Sequence, residues 1–145
     1  VVLTAQSALG CMPLRYGVLS AVATSGSPAA LVDANELTAW TAATTASQTI
    51  TIDLGSARTV SKLTVLWAPD RAGRLWKLQY RVGASWVTPA RALQGAYSSG
   101  GSARCATLPS YGTFTPFTAR YVRLVISTVE AAATGPASIR ELGIS

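Results

Sequence analysis

The sequence predicts an all-β protein, an antiparallel sandwich or barrel. Short runs rich in β-branched and aromatic residues alternate apolar and polar side chains with period two. Turn-forming pairs separate those runs, and no amphipathic helix of convincing length appears.

Four runs carry the pattern. Ile50, Ile52 and Leu54 alternate with Thr49, Thr51 and Asp53. Leu63, Val65 and Trp67 alternate with Lys62, Thr64 and Leu66. Trp76, Leu78, Tyr80 and Val82 alternate with Lys77, Gln79 and Arg81, and Val122, Leu124 and Ile126 with Tyr121, Arg123 and Val125. The turn signals are Gly55-Ser56, Pro69-Asp70, Gly83-Ala84, Ser98 to Ser102, and Gly135-Pro136. Glu130 to Thr134 has room for one helical turn, which Gly135-Pro136 stops. The Ser98–Ser102 stretch reads as a loop tip, not a linker.

With 145 residues the chain reads as a single domain, 1–145, able to bury about two thirds of its unfolded surface. Apolar residues make up 49% of it, which argues against disorder. No apolar run approaches the roughly 20 residues a bilayer-spanning helix needs. The chain opens Val-Val, without methionine or a basic leader, and reads as an excised or processed part of a larger protein.

The net charge is +6, from twelve Lys and Arg against six acids. The cations are scattered, densest at Arg71, Arg74, Lys77 and Arg81. Nucleic-acid binders usually carry a basic stripe with lysine clusters, so nucleic acid is not an expected partner. Anionic glycans or lipid head groups suit the charge better. There is no histidine. That excludes Ser-His-Asp and Cys-His nucleophiles, His-ligated zinc and His general bases, so no enzyme is expected. The two cysteines, Cys11 and Cys105, lack the close spacing of a zinc or redox motif. A disulfide between them would close a loop of about 95 residues, worth roughly 4–5 kcal/mol in the chain-entropy model, and would favour an oxidising compartment. Two unpaired buried thiols are the alternative.

Asp33 to Trp40 concentrates two of the six acids, the one asparagine, a threonine and a tryptophan in eight residues. Asp33-Ala34-Asn35 with Thr38 and Trp40 resembles the D-G-N-x-x-T-x-W motif of the factor V/VIII type C, or discoidin, domain. Further motifs follow in the family's order. Ile52-Asp53-Leu54-Gly55 is similar to V-D-L-G, and Trp76-Lys77-Leu78-Gln79-Tyr80 with Trp86 to Y-x-I-x-x-S…W. Ala119-Arg120-Tyr121-Val122-Arg123-Leu124 is similar to A-R-Y-V-R-L, and Ile139-Arg140-Glu141-Leu142 to I-x-E-L. Cys11-Met12-Pro13-Leu14 resembles the C-x-x-P-L opening of animal members. Those members pair that cysteine with one at the C-terminal end; within this chain Cys105 is the alternative. Family 32 carbohydrate-binding modules are bacterial relatives.

The resemblance implies an eight-stranded antiparallel jelly-roll β-sandwich, with binding loops at one end, acting outside the cell or on its surface as a non-catalytic recognition module. It also implies a structural calcium site. Carried over by motif, Asp33, Thr38 and Glu141 are the side-chain ligands. The carbonyls of Ala30, Asn35, Thr38 and Arg140 complete the hard-oxygen set that calcium prefers. Ala34 stands where the family has Gly, and an alanine is strained there if φ is positive. The alternative is a metal-free loop in which Asp33 and Thr38 satisfy backbone N–H groups. Glu36 is expected to be solvated, and Trp40 to anchor the loop by packing.

In the family the connection at 68–74 carries polar sugar-binding residues in some members and apolar membrane spikes in others. Here Asp70, Arg71 and Arg74 are the ligand-binding candidates, with Tyr97 as a further wall. Guanidinium forks suit vicinal hydroxyls, carboxylates and sulfates. A solvated turn with Asp70 paired to Arg71 or Arg74 is the plain alternative. The expected partner is a glycan or glycoconjugate. A protein receptor, as for a cell-adhesion module, is the second reading. A peripheral phospholipid-binding domain is the third, and membrane contact is disfavoured because the loop has no apolar spike.

Overall fold

The computed structural model describes residues 2–3, 15–16, 20–35, 37–68, 73–89, 104–108, 114–129 and 135–145. Among them the strands are β1 (Val2–Leu3), β2 (Arg15–Tyr16), β3 (Ser20–Ala23), β4 (Trp40–Thr41), β5 (Gln48–Val60), β6 (Leu63–Trp67), β7 (Gly73–Val82), β8 (Ser85–Val87), β9 (Arg104–Leu108), β10 (Phe117–Val129) and β11 (Ser138–Ile144). Three of these, β1, β2 and β4, are two-residue segments, leaving eight longer strands. The two main sheets have the orders β3-β5-β10-β7-β8 and β4-β11-β6-β9, and β1 and β2 pair as a separate two-stranded ribbon. Every pairing is antiparallel. The fold is the antiparallel β-sandwich that the alternation predicts.

The core follows from period two. Ile50, Ile52 and Leu54 of β5, Trp76 and Leu78 of β7, and Val122, Leu124 and Ile126 of β10 are buried on one sheet. They meet Leu63, Val65 and Trp67 of β6 and Ile139, Leu142 and Ile144 of β11 from the other. Trp67 and Trp76 pack edge to face across this space, with ring centroids 6.1 Å apart. Tyr80 stacks on Phe117 at 4.1 Å.

Two details depart from the sequence pattern. Gly55-Ser56 is not a turn between strands; β5 runs through it to Val60. The ladder shifts there instead. Asp53 pairs with Tyr121 and Arg58 with Ala119, so residues 54–57 oppose the single residue Arg120. Gly55 takes φ 80°, which glycine adopts without steric cost. The second detail is Leu66. It pairs with Glu141 on the side of the four-stranded sheet away from the core, yet both are fully buried. β2 packs beside β11, and its Tyr16 lies half-buried against the core. The stretch read as a helical turn, 130–134, lies outside the described residues.

The bulge organises an ion pair. Arg120 donates from Nε to Asp53 Oδ1 at 2.8 Å and from Nη2 to Oδ2 at 3.0 Å. Asp53 Oδ1 also accepts the Gly55 N–H at 2.8 Å, the backbone cap expected of an Asp-Leu-Gly turn. The hydrogen bond from Arg120 is the main reason the Asp53 carboxyl is held below its ordinary range; burial pushes the other way, and the Gly55 N–H and the Arg120 charge add to the lowering. A depressed folded pKa adds stability above the unfolded value of about 3.9 and loses it as pH falls through the folded one. Asp53→Asn should therefore melt below the wild type at pH 7. The gap should close as pH drops well below about 3.9, a trend followed by thermal denaturation across pH.

Candidate functional site

The ladder directions bring five connections to one end of the sandwich. β3 ends and β5 begins there, since Ala23 pairs with Ile50. β6 ends at Trp67 and β11 begins beside it. β7 begins and β10 finishes there, with Gly73 opposite Val129. Arg104, which opens β9, pairs with Trp67. The chain between β3 and β4, β4 and β5, β6 and β7, β8 and β9, and β10 and β11 is therefore anchored at this end.

Trp40 fastens three of these connections. Its side chain is wholly buried, and the indole N–H donates to the Ser25 carbonyl at 2.7 Å. Its own carbonyl accepts from the Ser138 hydroxyl at 2.9 Å, and Trp40 pairs with Ile139 in the sheet. Ser25 Oγ donates to Gln48 Oε1 at 2.7 Å and accepts the Ala43 N–H at 2.9 Å. Gln48 is itself buried and donates to the Ala46 carbonyl. The Ala42 N–H donates to the Ala137 carbonyl at 2.9 Å. Loops 24–28, 42–47 and 135–137 are thus held by a connected set of hydrogen bonds, most of them half-buried. Gly26 is required at the centre. Its φ is 77°, and a Cβ would collide with the Thr41 carbonyl oxygen and lie 2.8 Å from the Trp40 indole nitrogen.

The acidic loop has its own order. Asp33 Oδ1 accepts the Asn35 N–H at 2.9 Å, and Asn35 Oδ1 accepts the Leu37 N–H at 3.0 Å. These are Asx turns, in which a side chain stands in for a backbone acceptor. The Thr38 hydroxyl lies 2.6 Å from Asp33 Oδ2 and 2.9 Å from the Asn35 carbonyl oxygen. One hydroxyl proton faces two acceptors, one of them a carboxylate. Three hard oxygens therefore converge in a chemistry that suits calcium. Ala34 takes φ 60°, so this position does call for the left-handed conformation in which the family has glycine.

Glu141 is fully buried on β11. Ile139 pairs with Trp40, so β11 lies beside the short strand that follows the acidic loop. The 3-10 turn Pro28–Leu31, which contains Ala30, also packs against β11, the strand of Arg140 and Glu141. Of the expected metal-ligand residues, the described contacts bring Asp33, Asn35 and Thr38 together. Among the described residues no three acidic, cysteine or histidine side chains cluster, so any cation there relies on carbonyl and hydroxyl oxygens besides two carboxylates.

The other expectations fall elsewhere. Asp70, Arg71, Tyr97, Cys11 and Glu36 lie outside the described residues. Arg74 lies in β7 and Cys105 in β9, with only their backbones described. Trp67 and Gly73, which flank the 68–72 connection, are both at the loop end. The Ser25–Gln48–Trp40 lattice had no readable signal in the sequence, because serine, glutamine and glycine there carry no periodic mark.

A family model of the F5/8 type C domain matches residues 18–142. The chain belongs to the F5/8 type C domain family. No curated protein sequence matches it. Among solved structures it is similar to a family 32 carbohydrate-binding module of AlyQ, in complex with 4,5-unsaturated mannuronic acid. Identity is 27%, the TM-score 0.68, and the match covers 90% of this chain and 97% of that one. It is also similar to chitosan-binding module 2 of a chitosanase/glucanase from Paenibacillus sp. IK-5, in complex with chitotriose. There identity is 25% and the TM-score 0.64, covering 86% and 94% of the two chains. The family 32 module of NanJ from C. perfringens, in complex with galactose, shares the fold at 20% identity. Its TM-score is 0.67, with 87% and 92% of the chains covered.

The two left-handed positions in this region of the F5/8 type C domain make opposite predictions. Gly26→Ala meets both backbone strain and a collision, and should cost about 2–4 kcal/mol. Ala34→Gly relieves strain at an exposed position, and should stabilise by about 0.5–1 kcal/mol, or roughly 1–4 °C in melting temperature. Denaturant and thermal unfolding of the two variants check both signs.

Proposed function

We propose that this domain is a non-catalytic carbohydrate-binding module of a secreted or surface protein, and that its loop end takes an acidic sugar. The observation that supports this most directly is its similarity, along nearly the whole chain, to a module crystallised with an unsaturated mannuronic acid. A chitosan-binding module is almost as similar. Charge separates the two chemistries. Chitosan is a polycation, and a chain of net charge +6 repels it, whereas a uronate carboxylate is attracted.

In this reading Arg71 and Arg74 present bidentate donors to the sugar carboxylate. Asp70 accepts from ring hydroxyls, and Tyr97 adds a wall to the cleft. The Trp40-braced loops supply a rigid floor, so little ordering entropy is lost on binding. A shallow site of this kind binds weakly alone and gains affinity through repeated copies or a polymeric ligand. Calorimetric titration with a mannuronate oligosaccharide should show binding, and chitotriose should show none. Arg71→Ala should weaken mannuronate binding about tenfold, the loss of one charged hydrogen-bonded contact. Unchanged affinity would remove the loop from the site.

Calcium completes the proposal. Asp33, Thr38 and Glu141 would hold it through side chains, and Ala30, Asn35, Thr38 and Arg140 through carbonyls. A bound ion supplies two positive charges against two carboxylates and ties the first loop to the last strand. Its support is the convergence of Asp33, Asn35 and Thr38 oxygens on one hydroxyl proton. At calcium a hundredfold above its dissociation constant, the gain is about 2.7 kcal/mol. Chelation should then lower the melting temperature by roughly 5–10 °C, with recovery on adding calcium but not magnesium. An identical melting curve with and without chelator would leave the hydrogen-bonded loop metal-free.

A further inference from the structure

The outer face of the five-stranded sheet carries a feature that sugar binding at the loop end does not use. Lys77, Gln79 and Arg81 of β7 point away from the core, since Trp76 and Leu78 between them are buried. The same parity turns Tyr121 and Arg123 of β10 outward, between the buried Val122 and Leu124. Trp86 of β8 pairs with Arg81 and joins this face.

Two arginines here are held alike. The Arg123 guanidinium lies 4.3 Å from the centre of the Trp86 ring, and its Nε donates to Gln79 Oε1 at 2.7 Å. Gln79 is fixed in turn by donating to Thr88 Oγ1 at 3.0 Å. The Arg81 guanidinium lies 5.6 Å from the Tyr121 ring centre, and its Nε donates to the Gly83 carbonyl at 2.9 Å. In both, the Nε proton and one flat face are engaged within the protein. The two terminal nitrogens, the pair that grips an oxyanion bidentately, donate to no protein group among the described residues. Each side chain has therefore lost much of its rotamer freedom without satisfying its fork. Arg123 pairs with Gln79, one strand over and two residues along from Arg81, which sets their Cα atoms about 8 Å apart.

The face is also electrostatically uncompensated. Among the described residues its one carboxylate is Asp53, which Arg120 already engages. Lys77, Arg81 and Arg123 remain, spanning about 13 Å along β7. A single small anion cannot meet all three; a chain with repeated anionic groups can.

We propose that this sheet face is a second binding surface, taking an acidic polysaccharide through carboxylate or sulfate groups seated on the Arg81 and Arg123 forks. The aromatic rings here already carry guanidinium groups, so they are not free to stack nucleobases. Among the described residues one well-exposed aliphatic side chain, Val22 of β3, stands on this outer face, too little to anchor in a bilayer. The surface is separate from the loop end, and a long polymer can engage both.

Affinity electrophoresis of the whole chain through polygalacturonate, heparin and dextran tests this. The wild type should be retarded by a charged polymer and not by dextran; retardation by polygalacturonate alone assigns carboxylates, and by heparin alone, sulfates. Arg81→Gln with Arg123→Gln should weaken that interaction about tenfold or more. Arg81→Lys with Arg123→Lys keeps the charge and the fold but removes the forks, and should still lose at least about threefold. Both double variants should bind a short mannuronate oligosaccharide as the wild type does, and Arg71→Ala should keep polymer binding, which separates this surface from the loop end. Wild-type retardation in the lysine pair would reduce the surface to diffuse charge and overturn the proposal. So would polymer binding lost in Arg71→Ala but kept in the glutamine pair, or single-stranded oligothymidine bound as tightly as the polysaccharide with the same loss in the glutamine pair.

Discussion

The burial of Trp40 is the constraint on which the loop end depends. A wholly buried indole needs an acceptor for its N–H, and the Ser25 carbonyl supplies it. That bond forces Gly26 against the ring, where only a glycine fits. It also places the Ser25 hydroxyl between Ala43 and Gln48. From the other side Ser138 bonds to the Trp40 carbonyl, and Ile139 pairs with it. One side chain therefore links the first loop, the second loop and the start of the last strand. The acidic loop immediately precedes Trp40, and the buried Glu141 lies two residues beyond Ile139, the residue that pairs with that tryptophan.

Much of this was legible in the sequence. The four alternating runs coincide with β5, β6, β7 and β10; β5, β7 and β10 bury one face on a continuous core and leave the other partly exposed, while β6 is buried at Leu66 as well. The short strands β3, β4 and β9 lacked enough residues to show a period. Gly55 was misleading for a physical reason: the same positive φ serves a turn and a bulge, and only the long-range pairing with β10 decides between them. The Asp33–Thr38 loop was readable because Asx turns use few residue types at fixed spacing. A role for Glu141 beside that loop, about a hundred residues away in sequence, comes only from the family resemblance. The paired guanidinium forks were missed. Arg120 and Arg123 are indistinguishable in the sequence, yet among the described residues Arg120 has a carboxylate partner while Arg123 has Gln79 and Trp86.

The domain separates two kinds of surface. At the loop end, rigidity is built from hydrogen bonds around the buried Trp40, which suits recognition of one sugar's shape. On the sheet face, rigidity comes from cation–π stacking and Nε bonds at exposed positions, which suits repeated charge more than shape. Both rest on one core, and neither demands catalysis.

The central claim is that glycans meet the end braced by Trp40. Amide chemical-shift mapping during titration with a mannuronate oligosaccharide tests it most directly. The account predicts perturbations centred on residues 24–28 and 42–47 and on the amides flanking the 68–72 connection. Shifts confined to the opposite end, around Ser61-Lys62 and Gly83-Ala84, would contradict it.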